Sequence, residues 1–263
     1  MKSDRNLELP RGIFAGFAAV ALAWVAVASL GSGSARAQQV FYGNGAGGFG
    51  GPLGSGSLSV SNDGAGNLTF SFNSPGHSLS GNDVVVYLAT GATGLSDTTS
   101  LTDNGDGGRE AVSGYNSGNP SRSLVTFPAG FQATFALSIE DNYASLFQLP
   151  LPGGATGNNS LLYVTGTSQS GEPDVLSFPI ADLGLTQGQS FQLDATLISE
   201  SAYRSNETIG STNPDVSQES NPGFSNGITF SSEDVVYTPE PTSLGFFAFF
   251  SMVSLLRRRA KIA

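Results

Sequence analysis

Phe191-Gln192-Leu193-Asp194-Ala195-Thr196-Leu197 places an apolar side chain at every second position. Successive side chains of a strand point to opposite faces, so this period lays Phe191, Leu193, Ala195 and Leu197 along one covered face. The same period appears in both directions from this stretch. Phe135, Leu137 and Ile139 alternate with Ala136 and Ser138, Leu176 and Phe178 with Ser177, and Leu68, Phe70 and Phe72 with Thr69 and Ser71. Shorter apolar runs lie at 84–88, 124–127, 146–149, 161–164, 228–230 and 235–237, and Leu58-Ser59-Val60 opens the series. Turn formers such as Asn62-Asp63-Gly64, Asn104-Gly105 and Pro152-Gly153-Gly154 separate them. The pattern predicts an all-β chain of about eleven strands, an antiparallel β-sandwich or jelly-roll-like body over residues 38–238. Only a short helical turn near 181–185, ended by Gly184, interrupts it.

Composition agrees with such a body. Glycine (35) and proline (13) are abundant in the 263 residues, and long helices are disfavoured because Gly costs about 1 kcal/mol per helical position. There is no cysteine and a single histidine, His77. Disulfides, thiolate metal sites and the His-E-x-x-His zinc motif are therefore excluded. His77 sits in a turn, and no catalytic residue is assigned. Residues 38–238 hold Arg109, Arg122 and Arg204 but no lysine, for a net charge of −15 behind two basic ends. Nucleic acid is excluded as a partner, because binding it requires cationic side chains that replace counterions.

The ends read as addresses. Lys2, Arg5 and Arg11 precede an apolar run at 13–30, and Ala35-Arg36-Ala37 supplies an A-x-A cleavage site. Residues 1–37 are expected to be a signal peptide for the general secretory route, cut by signal peptidase beside Ala35 and Ala37. At the other end, Pro239-Glu240-Pro241 is followed by an apolar run at 244–256 and then by Arg257-Arg258-Arg259. A helix over that run spans about 20 Å, short of the roughly 30 Å hydrocarbon core, which suits a temporary anchor. The basic cluster favours the cytoplasmic side. Residues 239–263 closely resemble the PEP-CTERM sorting signal of Gram-negative envelope proteins, which has these three parts in this order. The resemblance implies an exosortase-type membrane protease as partner, transient anchoring in the inner membrane, and delivery to the cell surface or outside. It also implies association with extracellular polysaccharide. It covers about a tenth of the chain and leaves residues 38–238 to be read on their own.

Within that body the acidic loop 97–110 is the strongest site candidate. Asp97, Asp103, Asp106 and Glu110 lie among turn-forming glycines, and calcium takes six to eight such oxygens. The spacing is not that of an EF-hand, and a solvated turn with Arg109 pairing a carboxylate is the competing reading. Calcium is the one candidate cofactor. Gly45-Ala46-Gly47-Gly48-Phe49-Gly50 matches G-x-G-x-x-G, but Pro52, Gly54 and Gly56 preclude the helix a nucleotide site requires. Residues 43–56 read instead as a hydrogen-bonded lead-in or a flexible segment. Glu140-Asp141 reads as a plain turn and 200–224 as a long surface loop. Tyr115 and Tyr203 are loop aromatics suited to stacking on a sugar ring. The expectation is an exported, non-enzymatic envelope or matrix module contacting polysaccharide. A hydrolase with paired carboxylates and a calcium-dependent adhesion module are the alternatives.

Overall fold

A computed structural model describes residues 37–237, apart from 172, 213–215, 225 and 232–234. The signal segment through Ala35, and the tail with Pro239, Glu240, Pro241, Arg257, Arg258 and Arg259, lie outside the described residues. Among the described residues no helix is long and apolar enough to cross a membrane.

The chain is all-β. Strands β1 (Ala37–Tyr42), β2 (Ser57–Asn62), β3 (Asn67–Asn73) and β4 (Asn82–Ala89) come first. Helix α1 (Gly107–Ser113) and the short strands β5 (Tyr115–Asn116), β6 (Asn119–Arg122) and β7 (Val125–Thr126) follow. Then come β8 (Phe135–Ile139), β9 (Tyr143–Gln148), β10 (Leu162–Ser168), β11 (Asp174–Pro179), β12 (Phe191–Ser199) and β13 (Arg204–Ile209). Strands β14 (Ile228–Thr229) and β15 (Val235–Tyr237) close the series. The described strands exceed the eleven expected, chiefly because two-residue pieces such as β5, β7 and β14 are too short to show a period.

Two large antiparallel sheets form the body. One has the order β1-β2-β3-β11; the other runs β10-β9-β8-β4-β12-β13, with β15 also paired to β12. Their facing sides share one core, in which Phe70, Phe72 and Phe178 of the small sheet meet Val86, Leu137 and Leu193 of the large one. The opening stretch sits where its period places it: β12 pairs with β4 from Gln192↔Ala89 to Ser199↔Asn82.

The large sheet carries a second apolar layer on its other face, which a two-layer sandwich does not predict. Val85, Tyr87, Ala136 and Ile198 pack there against Ala111 and Val112 of α1 and against Leu101, Phe127, Phe131 and Phe230 from the connections. The run at 84–88 lacks alternation for this reason: β4 is buried on both faces from Asp83 to Ala89. Tyr87 Oη donates to the Val112 carbonyl at 2.7 Å and ties α1 to the sheet.

Two expectations about loops need correction. The polar stretch 200–224 is not all surface loop, because Arg204–Ile209 is a strand buried at every position. Four of its polar side chains, Arg204, Ser205, Asn206 and Glu207, are spent on internal bonds. Arg204 Nε donates to Ser123 Oγ at 3.2 Å, and its Nη1 donates to Thr196 Oγ1. Residues 43–56 take the hydrogen-bonded alternative: Gly43 N bonds Gly56 O, Asn44 N bonds Thr208 O and Gly45 N bonds Gly54 O at 2.9–3.1 Å. The helical turn expected near 181–185 is a 3-10 turn at Ile180–Leu183, closed by Gly184 at φ 69°.

Candidate functional site: an acidic pocket on the outer face of the large sheet

Helix α1 was hidden in the acidic loop by its brevity and its two leading glycines. Its local signals are nonetheless present. Asp106 is the N-cap, accepting from Arg109 N at 2.8 Å, and Gly114 at φ 62° ends the helix in the left-handed conformation.

The four calcium candidates are distributed as follows. Asp97 accepts from Thr99 N at 2.8 Å and from Ser96 Oγ at 3.3 Å, and the Thr99 bonds hold its carboxyl below the usual value against partial burial. Asp103 is fully buried; burial acts to raise its pKa, but donors from Leu161, Asn159, Gly105 and Arg109 outweigh it and leave the carboxyl lowered. Asp103 and Asp106 are brought together by one guanidinium, each 3.0 Å from Arg109. Glu110 points elsewhere, accepting from Asn116 Nδ2, and burial raises its pKa. Arg109 also donates to the Leu161 carbonyl at 2.5 Å and lies 5.1 Å from the Phe147 ring centre. Among the described residues no group of three acidic or histidine side chains is placed to hold a metal ion.

The loop's other side builds a different site. Asp106, Gly107 and Gly108 meet Glu140, Tyr143, Ser145, Phe147, Tyr163 and Glu200 around a pocket of about 330 Å³. Register explains the gathering. β4 and β8 pair as far as Val84↔Ile139, so Asp83 and Glu140 come next, opposite one another at the mouth of the sheet. Glu200 follows the last β12–β4 pair and is held by its N–H on Gly81 O at 3.1 Å. The glycines of α1 make room: a Cβ on Gly108 would stand 3.2 Å from Ser138 Oγ and 3.5 Å from Glu140 Oε1, and one on Gly107 3.4 Å from Glu200 Cγ.

Asp83 lies beneath this pocket with no solvent exposure. Ser138 Oγ donates to its Oδ1, and its carboxyl also interacts with the Glu140 carboxyl across the strands. Burial pushes the Asp83 carboxyl well above its usual value, and the charges of Glu140 and Glu200 push the same way. Glu140 is raised by burial and then by Glu200. Like charges placed opposite each other on a sheet repel, so Asp83 and Glu140 are stable as a pair sharing one proton. At the rim, Tyr143 and Tyr163 are 37% and 46% exposed, with their hydroxyl oxygens 3.0 Å apart.

Sequence reasoning missed Asp83, Glu140 and Glu200. An acid at the head of the apolar run 84–88 was the available signal for Asp83. The plain-turn reading of Glu140-Asp141 describes Asp141, which accepts from Leu79 N at 2.6 Å and Ser78 Oγ at 2.5 Å, but not Glu140. The aromatics singled out for sugar stacking are engaged internally. Arg122 covers the Tyr115 ring at 5.3 Å, and Tyr203 stacks with Phe49 and edges Phe224. His77 is exposed in its turn. A second cavity, about 440 Å³ between residues 90–94, 148–151 and 183–185, has no titratable lining residue and so no means of proton transfer. No family model, curated protein or solved structure matches this chain.

Proposed function

We propose that the protein is an exported cell-envelope or matrix module, delivered through the sorting signal at 239–263, that contacts extracellular polysaccharide without chemistry of its own. The observation that carries the reading is the order of the two ends, a secretory signal before the β body and Pro239-Glu240-Pro241, an apolar run and an arginine cluster after it. Replacing Pro239-Glu240-Pro241 by three alanines is expected to abolish processing and retain the chain in the inner membrane, followed by fractionation and by the mass of the mature protein. Unchanged mass and location would sink the sorting claim.

Polysaccharide contact is assigned to the Tyr143–Tyr163 rim, the pair of exposed aromatic rings beside a pocket with hydrogen-bonding side chains. The double substitution Tyr143→Ala, Tyr163→Ala is expected to lower retention on a polysaccharide-coated support about tenfold, the equivalent of roughly 1.4 kcal/mol. Equal retention by the double variant would remove the contact from this face. The hydrolase reading has one observation in its favour: Glu140, with its raised pKa, opens into the same pocket as Glu200, as an acid and a base would. Release of reducing ends that stops in Glu140→Gln would establish it.

A further inference from the structure

We propose that Gln38, once the signal segment is cut away, closes its own α-amine onto its side-chain amide, so that the exported body begins with a pyroglutamyl ring and carries no primary amine. The inference rests on the secretory-cut reading, which makes Gln38 the first residue, and concerns the chemistry of the end so produced. Residues 38–238 contain no lysine, so the α-amine of Gln38 is the primary amine that the cut creates on the body.

The strand accommodates the ring. Gln38 is the second residue of β1 and pairs with Ser61 of β2. Among the described residues β1 is the outer strand of its sheet, with β2 as its neighbour. Gln38 is exposed, on the outward face of β1 with Val40 and Tyr42, which are 43% and 74% exposed. A five-membered ring through N and Cδ has the shape of proline, and sheets accept proline at the first residue of a strand and on edge strands. Proline lacks an N–H, but a pyroglutamyl nitrogen keeps one, so the end of β1 loses no donor.

The side chain is at liberty to turn back on its own amine. Among the described residues nothing is bonded to the Gln38 carboxamide. Other glutamines are held through theirs. Gln169 Nε2 donates to the Val175 carbonyl at 2.9 Å, Gln187 Nε2 donates to the Gly64 carbonyl at 2.8 Å, and Gln189 Oε1 accepts from Thr186 N at 2.6 Å.

In the closure the unprotonated amine attacks Cδ. The N–Cδ bond forms, the Cδ–Nε2 bond breaks, and Nε2 leaves as ammonia with the proton that the amine gives up. No oxidant or co-reactant enters. An α-amine has an ordinary pKa of about 7.8, so about one molecule in seven holds it unprotonated at neutral pH. The ring removes that positive charge, as other terminal caps do. It also removes the group that an aminopeptidase requires at the end of an exposed edge strand.

The test is treatment of the secreted, folded chain with an amine-selective acylating reagent, followed by unfolding, chymotrypsin cleavage and mass spectrometry of the fragment from Gln38 to Tyr42. Labelling before cleavage records the state that the terminus had in the folded chain. The fragment is expected to be unlabelled and lighter by one ammonia than its sequence requires. Gln38→Ser has no amide to attack, and its terminus is expected to be labelled. A labelled Gln38 fragment of full mass overturns the closure and leaves the secretory cut standing. A fragment that contains Trp24, or any first residue other than 38, overturns the cut itself. An unlabelled terminus in Gln38→Ser also overturns the proposal, because a block that needs no glutamine is not this ring.

Discussion

Replacing Glu207 with glutamine is expected to lower folding stability by about 4 kcal/mol, or roughly 12 °C in Tm for a body of ~200 residues. The reason is an arrangement that the glycine-rich stretch was not expected to contain. Glu207 is fully buried in β13, and its two oxygens receive four backbone N–H groups of the 43–56 loop. Oε1 accepts from Phe49 at 2.7 Å and Gly51 at 3.3 Å, and Oε2 from Leu53 and Gly54 at 2.8 Å each. The glycine-rich loop therefore wraps an anion, the protein's own carboxylate rather than a phosphate, although three of the four donors, Gly51, Leu53 and Gly54, lie beyond the G-x-G-x-x-G itself. Close approach requires the glycines: a Cβ on Gly48 would overlap side-chain oxygens of Asn221, Asn206 and Ser205. Glutamine keeps one acceptor oxygen and turns an amide donor onto two backbone donors, which leaves buried N–H groups without partners. Urea unfolding checks the value. A loss below about 1 kcal/mol, within the range of ordinary substitutions, would show that the clamp does not hold the loop.

The second large effect is expected in the pH profile. Asp83, Glu140 and Glu110 all have folded pKa values raised by burial, so the folded chain holds their protons to higher pH than the unfolded chain does. The stability they contribute is complete below the unfolded carboxyl range, about pH 4, and is lost as pH rises through the folded values. Asp97, Asp103 and Asp63, the last lowered to about 2, act in the opposite sense, and their contribution is lost as pH falls through their folded values. Thermal melts between pH 3 and 9 are expected to peak on the acidic side and decline toward alkaline pH. Asp83→Asn keeps an acceptor for Ser138 Oγ and gives Glu140 an N–H donor, so it is expected to raise stability at pH 8 by more than the ~0.5 kcal/mol of a neutral surface change. The alkaline decline should flatten in that variant. An unaltered decline would place the pH dependence elsewhere, in the self-repulsion of a body carrying −15.

Legibility in the sequence followed the physics of each element. Strands with one dry and one wetter face, such as β2 and β3, were visible because alternation is their requirement, and β12 showed the same period although Asp194, Thr196 and Ile198 on its other face are buried too. β4 showed its apolar run but not the second layer that explains it. β13 was hidden because Arg204-Ser205-Asn206-Glu207-Thr208 reads as a wet loop, whereas the strand is buried throughout and Arg204 and Glu207 are bonded to segments far away in sequence. The site was hidden for a related reason. The acids at 97–110 are close together in sequence and were noticed; Asp83, Glu140 and Glu200 come from three separate segments and meet only through the β4–β8 and β4–β12 registers. Sequence proximity marked Asp103 and Asp106, which Arg109 neutralises, and the sheet brought Glu140 and Glu200 to the pocket with Asp83 buried nearby.

The Glu207 clamp also sets an order of events. Phe49 and Glu207 are 158 residues apart, and β3 completes its pairing only with β11, more than a hundred positions later. Bringing such distant segments together carries the loop-closure entropy that slows folding in chains of high contact order. β1, β2 and β3 can pair with one another early, but the 43–56 loop cannot acquire its four bonds to Glu207 until β13 has been synthesised. Throughout that interval the glycine-rich loop has no anion to wrap. The loop thus stays open while the chain is made and is closed by a residue that arrives late.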